Sequence, residues 1–181
     1  MTFYVYFFAE QAFLSQVKLL SNIVHTSSMK EIEAGAVCVL ACSAAVEALT
    51  NSLLINNVKF KHFDELRLAS KIEYIGEYHG KPINWGDTVW QQIAALIRLR
   101  NWLSHYKDSN VGLIGSDGEW LKDTINQLPK IDPKIELSSI KIKIYYKATL
   151  TALKQLVLLC QAELEEFAYL ETEDFESILV G

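Results

Sequence analysis

The stretch "ACSAAVEALTNSLL", residues 41–54, decides the fold, because it forms the centre of the most hydrophobic long run in the chain. The pattern predicts a helix from about Lys30 to Asn56, preceded by a break of capping residues at 26–28. Its few polar side chains fall within roughly one third of the helix circumference; they are Ser43, Glu47, Thr50 and Asn51. Four polar groups on one helix disfavour burial in hydrocarbon. The sequence therefore predicts a central core helix and no membrane span.

Four further helices are expected from the apolar spacing and from the positions of glycine and proline. They run from about Phe3 to His25, Phe63 to Tyr78, Thr88 to Lys107 and Ile142 to Leu170. An irregular insertion near 108–141, with a short helix around Trp120 to Gln127, precedes the last one. The sequence therefore predicts a single all-α domain over 1–181, an antiparallel bundle of four to five long helices with the second packed against the fourth.

Composition indicates a folded intracellular protein. Half of the 181 residues are hydrophobic, and the N-terminus lacks the basic region and cleavage site of a secretory signal. The cysteines Cys38, Cys42 and Cys160 have neither disulfide nor metal-site spacing, which predicts reduced core thiols in the cytoplasm.

The net charge of −5 is concentrated in an acidic C-terminal tail. Residues 161–181 contain seven acids and no base, whereas the other 160 residues contain 17 bases and 15 acids. A nucleic-acid partner is therefore compatible with the composition.

The fourth predicted helix carries an unusual polar side. Helical spacing predicts one apolar side, with Val89, Leu96, Leu99, Trp102, Leu103 and Tyr106. The other side is expected to hold Arg98, Arg100, Asn101, Ser104 and His105. No Asp or Glu lies between Thr88 and Lys107, so these arginines must find their partners elsewhere. Glu47 of the second helix is one candidate, and a purely structural interpretation pairs it with Arg98 or Arg100 while His105 caps the helix.

The segment "RNWLSH", Arg100 to His105, resembles the R-x(4–6)-H signature, with Asn directly after Arg, of the HEPN superfamily. The second helix also resembles the long apolar HEPN helix with an embedded acid. The resemblance covers the layout from about residue 30 to 170 and implies an antiparallel bundle, a metal-independent ribonuclease and no cofactor. The insertion and the acidic tail depart from typical members.

The catalytic residues implied by this resemblance are Arg100, Asn101 and His105. An imidazole can act as acid or base near neutral pH, and a guanidinium can hold phosphate oxygens with two hydrogen bonds. Asn101 lies four residues before His105 and can orient its ring. A single motif histidine does not easily serve as both acid and base, so we expect a homodimer with a composite site across a two-fold axis.

The spacing leaves open which arginine acts. Helix geometry favours Arg98, about 20° from His105 around the axis, over Arg100 at about 140°. The resemblance favours Arg100, and we assign it the catalytic role, since a phosphate between two subunits need not lie in line with the histidine of the same helix. Arg98 is then expected to pair with Glu47, with Ser43, Asn51 and Ser104 in support.

Two functions follow as expectations. The first is an endoribonuclease that acts as the toxin of a toxin–antitoxin or phage-defence system, with RNA as substrate and an antitoxin as a possible partner. The alternative is a non-catalytic HEPN-like dimer that binds RNA, a nucleotide or a protein. The remaining histidines, His25, His62 and His79, lack the spacing of a metal site.

Overall fold

The computed structural model describes residues 13–17, 28–104 and 133–162. Within these ranges the chain is helical, with no β-strand, which confirms the all-α class. Residues 13–17 are helical and are called α1. The other helices are α2 (Ser28–Leu53), α3 (Leu68–Tyr78), α4 (Thr88–Ser104), α5 (Pro133–Glu136) and α6 (Ser139–Leu159). The predicted short helix near 120–127 and the acidic tail from residue 163 onward lie outside the described residues.

Helix α2 is the centre of the bundle, as its apolar sequence predicts. It contacts α3, α4 and α6, and α6 also packs along α4. Ala45, Val46 and Leu49 of α2 are fully buried. The other helices contribute Leu14 and Val17 from α1, Ile72 and Ile75 from α3, Ile93 and Leu96 from α4, and Leu150, Leu153 and Leu156 from α6. The predicted packing of the second helix on the fourth is confirmed.

Helix α2 is also long and apolar enough to cross a membrane, by length and composition alone. The candidate segment is Ile32–Val58, which includes the π-helical turn Leu54–Val58 that follows α2 directly, and half of its most apolar window is buried inside the fold. Core helices of water-soluble bundles share these properties.

Two predicted helix ends are wrong. The last helix ends at Leu159 instead of continuing through 162, because Gln161 adopts a left-handed backbone with φ of 52°. The amide of Ala162 donates to the Val157 carbonyl and that of Gln161 to the Leu158 carbonyl, each at 3.2 Å, the two bonds of a Schellman stop. At its other end this helix begins at Ser139, where the Ser138 side chain caps the Lys141 amide, so residues 139–141 belong to the helix and not to the irregular segment predicted before it.

The third predicted helix is divided. A 3₁₀ turn at Phe63–Glu65 is separated from α3 by Leu66 and Arg67, whose backbones are extended. This break brings the Phe63 ring back over α3, with its centroid 5.5 Å from the Lys71 ammonium.

The three cysteines are free and buried, as expected for core thiols. Burial raises the pKa of Cys38 to about 11 and that of Cys42 to about 12. These thiols therefore stay protonated and unreactive at neutral pH.

Gly35 marks a close approach between α2 and the turn after α5. A β-carbon at this position would overlap the carbonyl oxygen of Leu137. Replacement of glycine by alanine inside a helix ordinarily stabilises by about 0.5–1 kcal/mol.

We expect Gly35→Ala to destabilise the protein instead, by about 1–3 kcal/mol, because backbone must move to relieve the overlap. Urea unfolding measures the change, and Ala34→Gly in the same helix is the control for helix propensity alone. A rise in the unfolding midpoint of Gly35→Ala would contradict the close packing of these two segments.

Candidate functional site

The candidate site is a groove between α2, α3 and α4. Its volume is about 590 Å³, and it lies over the polar residues of α2 and beside the N-terminus of α3. The lining consists of Ser43 and Glu47 from α2, residues 66–69, and Ile97, Arg100 and Asn101 from α4. The structure therefore brings together four of the predicted site residues, Ser43, Glu47, Arg100 and Asn101.

Arg100 and Asn101 share this groove because they are adjacent at the edge of the buried side of α4. The Arg100 Nη1 donates a hydrogen bond to the Asn101 Oδ1 at 3.1 Å. The Arg100 side chain remains 40% exposed and Asn101 is exposed. Both side chains are therefore accessible to a ligand from solution.

Glu47 lies between two cations. Its Oε1 is 3.3 Å from the Lys71 Nζ, and its Oε2 is 3.9 Å from the Arg100 Nη2. The first contact is within hydrogen-bonding range, whereas the second exceeds it. Glu47 is therefore held mainly by Lys71, and its contact with Arg100 is a loose ion pair.

Lys71 contacts Glu47 of the groove and is a residue that the sequence pattern did not single out. Its side chain is only 3% exposed, and its ammonium donates to the Asn51 Oδ1 at 2.8 Å as well as to Glu47. A signal was present: Lys71 lies three residues after Leu68 and four before Ile75, so helical spacing places it within the apolar stripe of α3. The predicted supporting role of Asn51 becomes specific here, since Asn51 is a ligand of this buried ammonium.

The two arginines lie on different sides of α4, which corrects the prediction of a single polar face. Residues two positions apart in a helix are separated by roughly 160° around the axis. Arg100 lines the groove with Glu47, whereas Arg98 lines a separate pocket of about 570 Å³ against α5 and α6. The expected pairing of Arg98 with Glu47 is therefore wrong, and Arg100 is the residue beside that carboxylate.

The pocket around Arg98 has its own polar cluster. The Tyr145 hydroxyl donates to the Glu136 Oε2, and the Lys141 ammonium is 4.0 Å from the Glu136 Oε1. Burial raises the pKa of Tyr145, the hydrogen bond to Glu136 raises it further, and the positive charge of Arg98 opposes the shift. Arg98 is thus near this cluster, with no ion pair to an acid in the part of the chain that the structure covers.

Of the other polar residues singled out from the sequence, some lie at the groove and others lie away from it. Ser43 is buried at 2% exposure against the groove, but Thr50 is turned away and donates to the Val46 carbonyl at 2.6 Å. Ser104 is exposed and is the last described residue of α4. His105 follows it directly in sequence and lies outside the described residues.

The groove carries more positive than negative charge. Among the described residues that line it, Glu47 is the one acid, against Arg67 and Arg100, and Lys71 lies beneath Glu47. Among residues 13–17, 28–104 and 133–162, no three His, Cys, Asp or Glu side chains are grouped closely enough to hold a metal ion. An arrangement of one exposed and one half-exposed guanidinium group with an amide is suited to binding an oxyanion.

Comparisons of the chain with protein-family models, with curated proteins and with solved structures found no match.

The ion pairs predict different roles in stability for Glu47 and Arg98. We expect Glu47→Ala to lower the free energy of unfolding by about 2 kcal/mol, because it leaves the buried Lys71 ammonium without its carboxylate. Arg98→Ala should change it by less than about 0.5 kcal/mol, as for other exposed side chains. Urea unfolding of both variants provides the comparison, with Glu47→Gln as the variant that keeps a hydrogen-bond acceptor for Lys71. A larger loss for Arg98→Ala than for Glu47→Ala would contradict the arrangement of the two arginines.

Proposed function

We propose that this chain is a metal-independent endoribonuclease with a HEPN-like antiparallel bundle, in which Arg100, Asn101 and His105 are the catalytic residues. The observation that supports the proposal is the groove itself. Arg100 and Asn101 enter it together, close to the end of α4, and the charge around them favours an anion. His105 is the next ionisable residue along the chain after Arg100.

The chemistry that these residues supply is transfer of a phosphoryl group within RNA. A neutral His105 removes the proton of a 2′-hydroxyl, the freed oxygen attacks the adjacent phosphorus, and a 2′,3′-cyclic phosphate forms. The bond to the 5′-oxygen breaks, and that oxygen leaves with a proton from a second acid. Arg100 stabilises the charge on the phosphate oxygens during the attack.

A homodimer provides the second acid. His105 of a second protomer can protonate the leaving oxygen if the two motifs meet across a two-fold axis. The exposure of Arg100, Asn101 and Ser104 is compatible with such a contact. The proposal extends, through the HEPN resemblance, to a cytoplasmic toxin of a toxin–antitoxin or phage-defence system, with an antitoxin as its protein partner.

Cleavage of RNA should proceed in EDTA and leave a 2′,3′-cyclic phosphate or 3′-phosphate together with a 5′-hydroxyl. Gel analysis of end-labelled RNA and mass spectrometry of the products identify these ends. Arg100→Ala and His105→Ala should each lose most of the turnover with a nearly unchanged thermal midpoint, whereas the matched Arg98→Ala variant should retain it. Products with a 5′-phosphate, or loss of activity in EDTA, would contradict this reaction.

The active species should be a dimer. Light scattering coupled to size exclusion is expected to give a mass near twice that of one 20.6 kDa chain at micromolar concentration. The specific activity should fall on dilution as the dimer dissociates. A monomer that cleaves RNA with undiminished specific activity would rule out the composite site.

A second candidate function is a non-catalytic HEPN-like module that binds RNA, a nucleotide or a protein. The contact that favours it is the ion pair of Arg100 with Glu47, because an arginine held by a carboxylate is less available for catalysis. Under this alternative, wild-type protein binds RNA without producing new ends, and Arg100→Ala alters binding alone.

A further inference from the structure

The carboxylate of Glu47 is close enough to Arg100 to compete with a ligand for its guanidinium group. It is the acid that lines the groove, and its Oε2 lies 3.9 Å from the Arg100 Nη2. A movement of less than about 1 Å would convert this loose contact into a hydrogen-bonded ion pair. A guanidinium engaged in that way has fewer donors and less net charge to offer a phosphate.

Lys71 opposes this movement. It is a buried ammonium, 3% exposed, on a helix that does not carry Arg100, and its two oxygen partners are Glu47 and Asn51 of α2. The Phe63 ring lies 5.5 Å from it on another side. A buried cation that loses its carboxylate incurs a large desolvation cost, whereas the half-exposed Arg100 can be solvated by water. Glu47 therefore favours Lys71 over Arg100.

We propose that Lys71 is a positioning residue that withholds Glu47 from Arg100 and thereby leaves the Arg100 guanidinium free to bind an oxyanion. Under the function proposed above, on which this inference rests, that oxyanion is a phosphate of RNA. Lys71 itself is buried beneath Glu47 and acts on the phosphate only through the position of that carboxylate.

The test first removes the buried charge of Lys71 and then also removes the charge of Glu47, which competes with RNA for Arg100. Lys71→Met keeps a long apolar side chain in a buried place, so Glu47 is left with Arg100 as its nearest cation. We expect the affinity for a non-cleavable RNA, methylated at every 2′-hydroxyl, to fall about tenfold in fluorescence anisotropy. The double variant Lys71→Met/Glu47→Gln should recover to within about threefold of wild type, because the neutral amide no longer competes for Arg100.

A matched control separates positioning from a simple loss of charge. Arg98→Gln also removes one positive charge, from an exposed arginine that lies outside the groove, and it leaves the Lys71–Glu47 contact intact. We expect it to weaken binding less than Lys71→Met does. An equal or larger effect of Arg98→Gln, or no recovery in the double variant, would overturn the proposal.

A second measurement does not depend on RNA. The chain has three arginines, Arg67, Arg98 and Arg100, so their side-chain Nε–H signals can be assigned by substitution. In Lys71→Met without ligand, the Arg100 signal should shift and its guanidinium rotation should slow, and both effects should vanish in the double variant. An unchanged Arg100 signal would refute the inference, even if the ribonuclease activity is real.

If wild-type protein neither binds nor cleaves RNA while the Arg100 signal changes as described, the ribonuclease proposal fails and the positioning role of Lys71 stands. Should Lys71→Met fail to fold, Lys71→Gln replaces it, since an amide can still donate to Asn51 without carrying charge. The same comparison with Glu47→Gln then applies.

Discussion

The arrangement of the groove depends on one buried cation. Lys71 lies inside the bundle, where an ammonium is stable only if oxygen ligands replace the water it has lost. Glu47 and Asn51 of α2 provide those ligands and fix α3 against α2. The 3₁₀ turn before α3 adds the Phe63 ring to the same cation. The partners that this one ammonium needs therefore determine the position of Glu47, and with it the electrostatic surroundings of Arg100.

Helix geometry divides the two arginines of α4 between different surroundings. Arg100 lies in the groove with an adjacent amide from Asn101, while Arg98 lies over a tyrosine, a lysine and a carboxylate at α5 and α6. Since Glu136 is already engaged by Tyr145 and Lys141, Arg98 contributes charge to that pocket without a direct ion pair. The two guanidinium groups can therefore serve different purposes on one helix. This separation supports the assignment of the anion-binding role to Arg100 more directly than the spacing to His105 does.

The Glu47 carboxylate has two opposing effects in a groove that two arginines also line. It lowers the positive potential of the groove, but it also stabilises the buried ammonium of Lys71. Because Lys71 takes the nearer oxygen of Glu47, the groove keeps a net positive charge on its exposed side. In this way the bundle gains an interhelical polar contact without neutralising the arginine at its surface.

The sequence alone determined the all-α class, the central position of the helix around residues 41–54, its packing against α4 and the absence of acids from α4. These features follow from local spacing, which places each residue at a known angle around its own helix axis. Spacing also places Lys71 within the apolar stripe of α3, but it does not indicate which acid meets its ammonium. Only the tertiary structure decided that Glu47 meets Lys71 and Arg100 instead of Arg98, and that the last helix stops at Leu159. The rotation of one helix relative to the next is set by side chains distant in sequence, so no local pattern contains it.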